Sequence, residues 1–146
     1  MLQKAKKAFQ KYKEPILYLF FGGLTTAVDF GISFLLYHFW IDGMQTSGAL
    51  VHFVDVLAWA AAVAFAFFTN RIWVFESKKK GFSPVAREFF GFAGGRVFTL
   101  LLQEAVMAIF VTWLGGSKYL FRLFAAVLVI ILNYVISKLV VFTSSK

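Results

Sequence analysis

The sequence predicts an all-α integral membrane protein, with four transmembrane helices arranged as two helical hairpins of like design. Three observations predict it. Hydrophobic residues make up 60% of the 146 positions and charged residues only 15%, whereas soluble domains are about 45–50% apolar. A soluble body of this size leaves much of its surface in water, and this composition has too few polar groups to cover it. Four stretches are each long and apolar enough to cross a bilayer, which takes about 20 residues. Runs such as LAWAAAVAFAFF and LFAAVLVIIL do not alternate, so they exclude the β-barrel solution to the same problem. Disorder is excluded by the same hydrophobicity, and the absence of Cys excludes disulfides, thiolate metal sites and cysteine nucleophiles.

The four spans cover residues 16–39, 51–75, 89–113 and 119–142 within a single transmembrane domain over 1–146. The leader MLQKAKKAFQKYKEP is basic, but the apolar stretch after it is too long for a signal-peptide core and has no small-residue cleavage site. It reads as the lead-in to a retained first helix. Lys and Arg set the orientation. Lys4, Lys6, Lys7, Lys11 and Lys13 precede the first span. Arg71, Lys78, Lys79, Lys80 and Arg87 lie between the second and third, and Lys138 and Lys146 lie at the end. The opposite side has Lys118 and Arg122. This bias places both termini and the middle loop in the cytoplasm. With no soluble domain to form a groove, the basic clusters suit orientation and anionic lipid headgroups and not nucleic acid.

An internal repeat organises the chain. The second span ends Asn70-Arg71-Ile72-Trp73-Val74-Phe75 and the fourth ends Ser137-Lys138-Leu139-Val140-Val141-Phe142, 67 residues apart. Each is a small polar residue, a cation, three apolar residues and Phe. Phe20-Phe21-Gly22 and Phe89-Phe90-Gly91 suggest a matching start to the first and third spans, 69 residues apart. Both hairpins start on one side, so the repeats are parallel, about an axis along the membrane normal.

Polar residues at lipid depth face a partner or a wet cavity. Here they are Asp29, Asp55, Asn70, Arg96, Glu104 and Asn133. Arg96 lies about 10 Å into its span at 1.5 Å per residue; its fork of donors suits a lipid phosphate, and an ion pair with Asp29 is the plain alternative. Glu104 is too far along the same helix to pair with it. Asn133 and Ser137 share a face, as do Ala66, Asn70 and Val74, which suits close helix approach and interhelical hydrogen bonds. Arg122, Arg96, Arg71 and Lys138 distribute cations across the membrane depth, as a phosphate moving between faces requires. Trp40, Trp59, Trp73 and Trp113 fall near interfaces, where such rings are usual. Gly22-Gly23 and Gly94-Gly95 mark close packing or helix flexibility and are not phosphate loops. No nucleophile–base set, nucleotide loop or metal-ligand spacing appears, so neither an enzyme nor a cofactor or metal is expected.

Asn-Arg-x-Trp-Val-Phe at 70–75, with Asn133-Tyr134-x-x-Ser137-Lys138-x-x-Val141-Phe142 closing the fourth helix, resembles the GtrA-like family. The resemblance runs from about Tyr18 to Phe142. It implies a four-helix protein of the bacterial cytoplasmic membrane that moves a polyprenyl-phosphate-linked hexose from the inner to the outer leaflet. Glycosylation of cell-surface polysaccharide or teichoic acid would follow, with a functional link to membrane glycosyltransferases. It assigns Asn70, Arg71, Trp73 and Phe75 to one motif and Asn133, Ser137, Lys138 and Phe142 to the other, with Ala66, Val74 and Phe92 as packing residues. Ala66 stands where the second motif has Asn133, and Val140 where the first has Trp73, so unequal hairpins are expected. The substrate-binding set is then Arg96, Arg122, Asn133, Asn70, Arg71, Lys138, Glu104 and Asp29. A four-helix monomer is narrow, so a homodimer is expected. Two other classes fit the composition: a small proton-coupled drug exporter using Glu104 or Asp29, and a non-transporting accessory subunit of a glycosyltransferase.

Overall fold

In a computed structural model the backbone is described over residues 2–40 and 48–143, and side chains over 12–39 and 49–143. The side chains of Lys4, Lys6, Lys7, Lys11 and Trp40, and all of Lys146, lie outside those ranges. Among the described residues every regular element is helical: α1 is Leu2–Trp40, α2 Gly48–Thr69, α3 Phe82–Met107 and α4 Lys118–Ile136. Each carries a stretch long and apolar enough to cross a membrane. With no water at lipid depth every backbone N–H and C=O must be paired internally, which a helix does within one segment. The side-chain hydroxyls obey the same rule: Thr25, Thr26 and Thr69 donate to the carbonyls of Phe21, Gly22 and Phe65, one turn back on their own helices.

The basic leader and the first span form one helix that passes through Pro15. The chain divides into two units at Glu76/Ser77, and each is a hairpin. In the first, α1 lies along α2. Lys13 pairs with Glu76 at 2.7 Å, and the Phe21 ring stacks on Trp73 at 5.3 Å with the planes 10° apart. The inward face of α2, Val54-Ala58-Ala62-Ala66-Asn70, is fully buried at almost every step of four. The outward rings Phe30, Phe34 and Phe39 of α1 are at least 70% exposed, as lipid-facing side chains are.

In the second hairpin α3 approaches α4 closely through small residues. A Cβ on Gly91 would meet Val141 at 3.6 Å, and one on Gly95 would stand 2.9 Å from the Ile136 methyl. One turn further on, Thr99 donates to Asn133 at 2.9 Å. Small residues at this spacing let helix backbones come together where dispersion replaces the hydrophobic effect as the source of attraction. The turn joining α3 to α4 needs its glycines: Gly115 has φ +65°, and a Cβ on Gly116 would sit 2.6 Å from the Phe110 carbonyl oxygen. Phe110 and Phe121 stack at 4.9 Å beneath it.

Both second helices close in a π-helical turn, as α3 also does over Ala108–Trp113. Residues Asn70–Val74 and Ser137–Val141 form single π-helical turns, in which Phe75 N–H bonds to Asn70 O at 2.8 Å and Phe142 N–H to Ser137 O at 2.9 Å. These are the two motif copies, so the repeat at 67 residues is built into the backbone. The extra residue in the turn rotates the chain so that two successive side chains point inward. Val74 and Phe75 are both buried, and so are Val141 and Phe142.

The first helices repeat at a different spacing from that suggested by the Phe-Phe-Gly triplets. Phe75 packs its ring on Tyr18 at 6.4 Å, and Phe142 on Phe92 at 6.2 Å. Tyr18 and Phe92 are 74 residues apart, as are the buried Thr25 and Thr99. The equivalence is therefore 74 and not 69. The triplets mislead because Phe20 and Phe90 are 59% and 71% exposed; rings in contact with lipid carry no register information. From the first-helix threonine to the second-helix position matching Asn133, the first hairpin has 41 residues (Thr25 to Ala66) and the second 34 (Thr99 to Asn133).

Candidate functional site

Each hairpin presents polar groups at the end of the motif, from equivalent positions with different chemistry. In the first, Asn70 is fully buried. Its Nδ2 donates to the Ala66 carbonyl at 2.7 Å, while its Oδ1 is buried without a hydrogen-bond partner. An amide oxygen buried at lipid depth without a protein donor costs about 1–3 kcal/mol. Arg71 follows, half-buried, and Trp73 is half-exposed over Phe21.

In the second hairpin the amide sits one turn earlier. Asn133 is buried, and its Oδ1 accepts the hydroxyl of the fully buried Thr99. The same hydroxyl lies 3.1 Å from the Arg96 carbonyl, so Thr99 ties the backbone beneath Arg96 to α4. Ser137, buried, takes the place of Asn70. Lys138 lies beside its own neighbour Tyr134, with Nζ 3.2 Å from the hydroxyl and 5.5 Å from the ring centre. The Arg96 guanidinium lies over the Phe92 ring at 5.0 Å, and its Nε is buried without a hydrogen-bond partner.

The residues predicted from sequence therefore separate into groups. Asn70, Arg71, Trp73, Val74 and Phe75 come together around the first π turn, with Ala66 supplying a carbonyl. Arg96, Phe92, Asn133, Ser137, Lys138 and Phe142 come together around the second. Glu104 and Arg122 are exposed on α3 and α4, away from that cluster, and Asp29 is half-buried on α1.

Glu88, and the contact that Asp55 makes with Tyr37, did not stand out in the sequence. Glu88 is buried, receives the Ser77 hydroxyl at 2.7 Å and lies 3.6 Å from the Lys79 ammonium. Its position one turn before Phe92 and two before Arg96 on one helix face is the signal that would have found it. At the far end of the first hairpin the Tyr37 hydroxyl donates to Asp55. Nothing in the spacing of those two residues announces that contact.

Residues 17–142 match the family model of the GtrA/DPMS transmembrane domain. The chain belongs to this family. Its curated relatives include the cell wall teichoic acid glycosylation proteins GtcA of Listeria innocua, 32% identical over 90% of this chain and 86% of that protein, and of Listeria monocytogenes, 31% identical over the same shares. The uncharacterized membrane protein YwcD of Bacillus subtilis is 28% identical over 89% of this chain and 97% of its own length. No solved structure matches the chain. With four helices able to span a membrane, this member of the GtrA/DPMS family is a multi-pass bacterial membrane protein. The family match ends at Phe142, the residue that closes the second π turn.

Proposed function

We propose that the protein moves a polyprenyl-phosphate-linked monosaccharide from the inner to the outer leaflet, without catalysing a covalent step, so that the sugar can be added to teichoic acid or another surface polysaccharide. The names of the GtcA relatives support the pathway. The observation that carries the reading is the buried, unpartnered Asn70 Oδ1 inside the motif turn. A hexose brings several hydroxyl donors, and one of them supplies what this oxygen lacks. A π turn closes each hairpin at its motif, whereas a third, Ala108–Trp113, ends α3 away from the motif.

The prenyl tail stays among the exposed phenylalanines and acyl chains while the headgroup passes along the amides. Arg71, Lys138, Arg96 and Arg122 neutralise the phosphate at successive depths, and Glu104 and Asp29 offer acceptors to sugar hydroxyls. The Lys and Arg bias sets both termini in the cytoplasm, and two copies form the working unit beside a membrane glycosyltransferase.

The test is leaflet-resolved transport by the purified protein in vesicles. A polyprenyl-phosphate-hexose loaded on one side should become accessible on the other, and Asn70→Ala and Asn133→Ala should each slow this at least tenfold at equal protein incorporation. If the wild-type protein leaves the lipid where it was loaded, the accessory-subunit reading replaces this one. Proton-coupled efflux of a lipophilic cation would do the same for the exporter reading.

A further inference from the structure

We infer that, of the four cations along the proposed route, Arg96 on the second hairpin is where the phosphate of the lipid rests in the bound state, and that the first hairpin has no counterpart to it. The inference rests on the lipid-phosphate reading above but requires only binding, not transport.

The repeat itself makes the case. At the spacing of 74 that matches Tyr18 with Phe92 and Thr25 with Thr99, the position equivalent to Arg96 is Gly22. A Cβ there would meet nothing within 4 Å. The motif cations, in contrast, occur in both hairpins, as Arg71 and Lys138. Arg96 is thus a cation added to one half only, at a depth where a charge is costly to keep.

Its surroundings hold it ready and leave it unsatisfied. One face of the guanidinium lies on Phe92, and Phe92 is itself buried and packed against Phe142 of the π turn. The ring offers the guanidinium N–H groups no lone-pair acceptor, so this contact leaves its donors, the part that matches phosphate oxygens, to be met by another group. The carboxylates of the same hairpin are accounted for. Glu88, two turns before Arg96, is held by Ser77 and Lys79; Glu104, two turns after it, is exposed. Neither pairs with Arg96 among the described residues, and Nε is left with no acceptor. A guanidinium has five donors and no acceptor, and the oxygen of an anion would supply what Nε lacks.

The ligand must also reach lipid depth, which a phosphate on a prenyl chain does. Thr99 stands one turn further along α3 and bonds to Asn133 of α4, so the next polar groups after Arg96 on this hairpin are a hydroxyl and an amide.

The experiment is native mass spectrometry of the full-length protein in detergent, with undecaprenyl phosphate, undecaprenol and phosphatidylglycerol added separately at equal concentration. Inorganic phosphate serves as a competitor. The wild-type protein should retain undecaprenyl phosphate and release the other two lipids, and inorganic phosphate should not displace it. Arg96→Gln should lower retention at least tenfold. Arg96→Lys, which keeps the charge and loses the fork, should lower it about threefold, and this variant covers the case in which the glutamine protein does not fold. Lys118→Gln, at the opposite end of the hairpin, should leave retention unchanged.

Equal retention by the wild type, Arg96→Lys and Arg96→Gln would overturn the assignment. So would phosphatidylglycerol binding as well as the prenyl lipid, or displacement by inorganic phosphate, since the seat would then be one for any anionic headgroup or for free phosphate. Loss of transport with Arg96-dependent binding intact would count against the flippase reading alone.

Discussion

Replacing Gly95 and its neighbour Gly94 by alanine, one at a time, isolates the packing on which the second hairpin depends. Both positions are in the middle of α3, so both substitutions gain the same intrinsic helix preference, about 1 kcal/mol in a water-exposed helix. They differ in what the new methyl meets. At Gly94 nothing lies within 4 Å; at Gly95 the Ile136 methyl is 2.9 Å away and Ile136 Cβ 3.9 Å. Ile136 is β-branched and strongly confined to one rotamer in a helix, so its methyl cannot swing aside and the helices must part instead. Overpacking of this kind costs about 1–3 kcal/mol. Parting the helices also stretches the Thr99–Asn133 hydrogen bond one turn away. Gly95→Ala should therefore be less stable than Gly94→Ala by about 1–3 kcal/mol when the protein is unfolded by SDS titration in mixed micelles. Equal stability of the two variants would refute the close approach of α3 to α4 at this point, and with it the account of why glycine is there.

Two further outcomes follow from the buried polar contacts. Thr99→Val keeps the shape of the side chain and removes the donor to Asn133. In a double-mutant cycle with Asn133→Ala the pair should couple by about 0.6–1.7 kcal/mol, the range for interhelical hydrogen bonds in membrane proteins, and a coupling of zero would mean that the 2.9 Å contact is not formed. Glu88→Ala removes the acceptor of Ser77 and the partner of Lys79 and should cost about 1–3 kcal/mol by the same titration. Glu88→Gln, which still accepts the Ser77 hydroxyl, should recover part of that loss, and equal losses in the two variants would show that the hydrogen bond contributes nothing.

The bilayer imposes length and hydropathy directly on the chain, so four helices of membrane-crossing length were readable; the second and fourth segments end at Val74 and Val141, next to the Phe75 and Phe142 at which the sequence suggested their ends. Helix starts were less readable. α1 begins at Leu2 and α3 at Phe82, well before the predicted spans, because hydropathy reports depth in lipid and not where hydrogen bonding begins. The π turns were invisible, since one extra residue in a turn leaves no compositional trace; only the recurrence of a polar residue and Phe five apart pointed to them. The spacing of the first helices was misread for the opposite reason, an excess of signal: α1 and α3 are rich in Phe, and the rings that face lipid outnumber the few buried residues that hold register. Asn70, Asn133 and Arg96 stood out because polar residues at lipid depth are costly. Glu88 did not, because a glutamate beside a run of lysines looks like a solvated charge until its burial is seen.

The two hairpins solve one packing problem with opposite choices, and that difference bears on function. Where the first has Phe21 against Trp73, the second has Gly95 and Val140 in the equivalent places. Stacked rings fill the space in one; small residues draw the helices together in the other. The polar groups shift to match. Close approach in the second hairpin allows Thr99 to reach across to Asn133. In the first, Ala66 occupies the Asn133 position, Thr25 turns back to its own helix, and the amide moves one turn along to Asn70, where its oxygen is left open. A symmetric pair of half-sites would bind two like groups. A lipid-linked sugar phosphate presents unlike ones, an anion and a neutral polyol. On the function proposed above, the second hairpin, with its cation, suits the anion, and the first, with its open amide, suits a hydroxyl donor, which is a reason for the two copies of the hairpin to diverge.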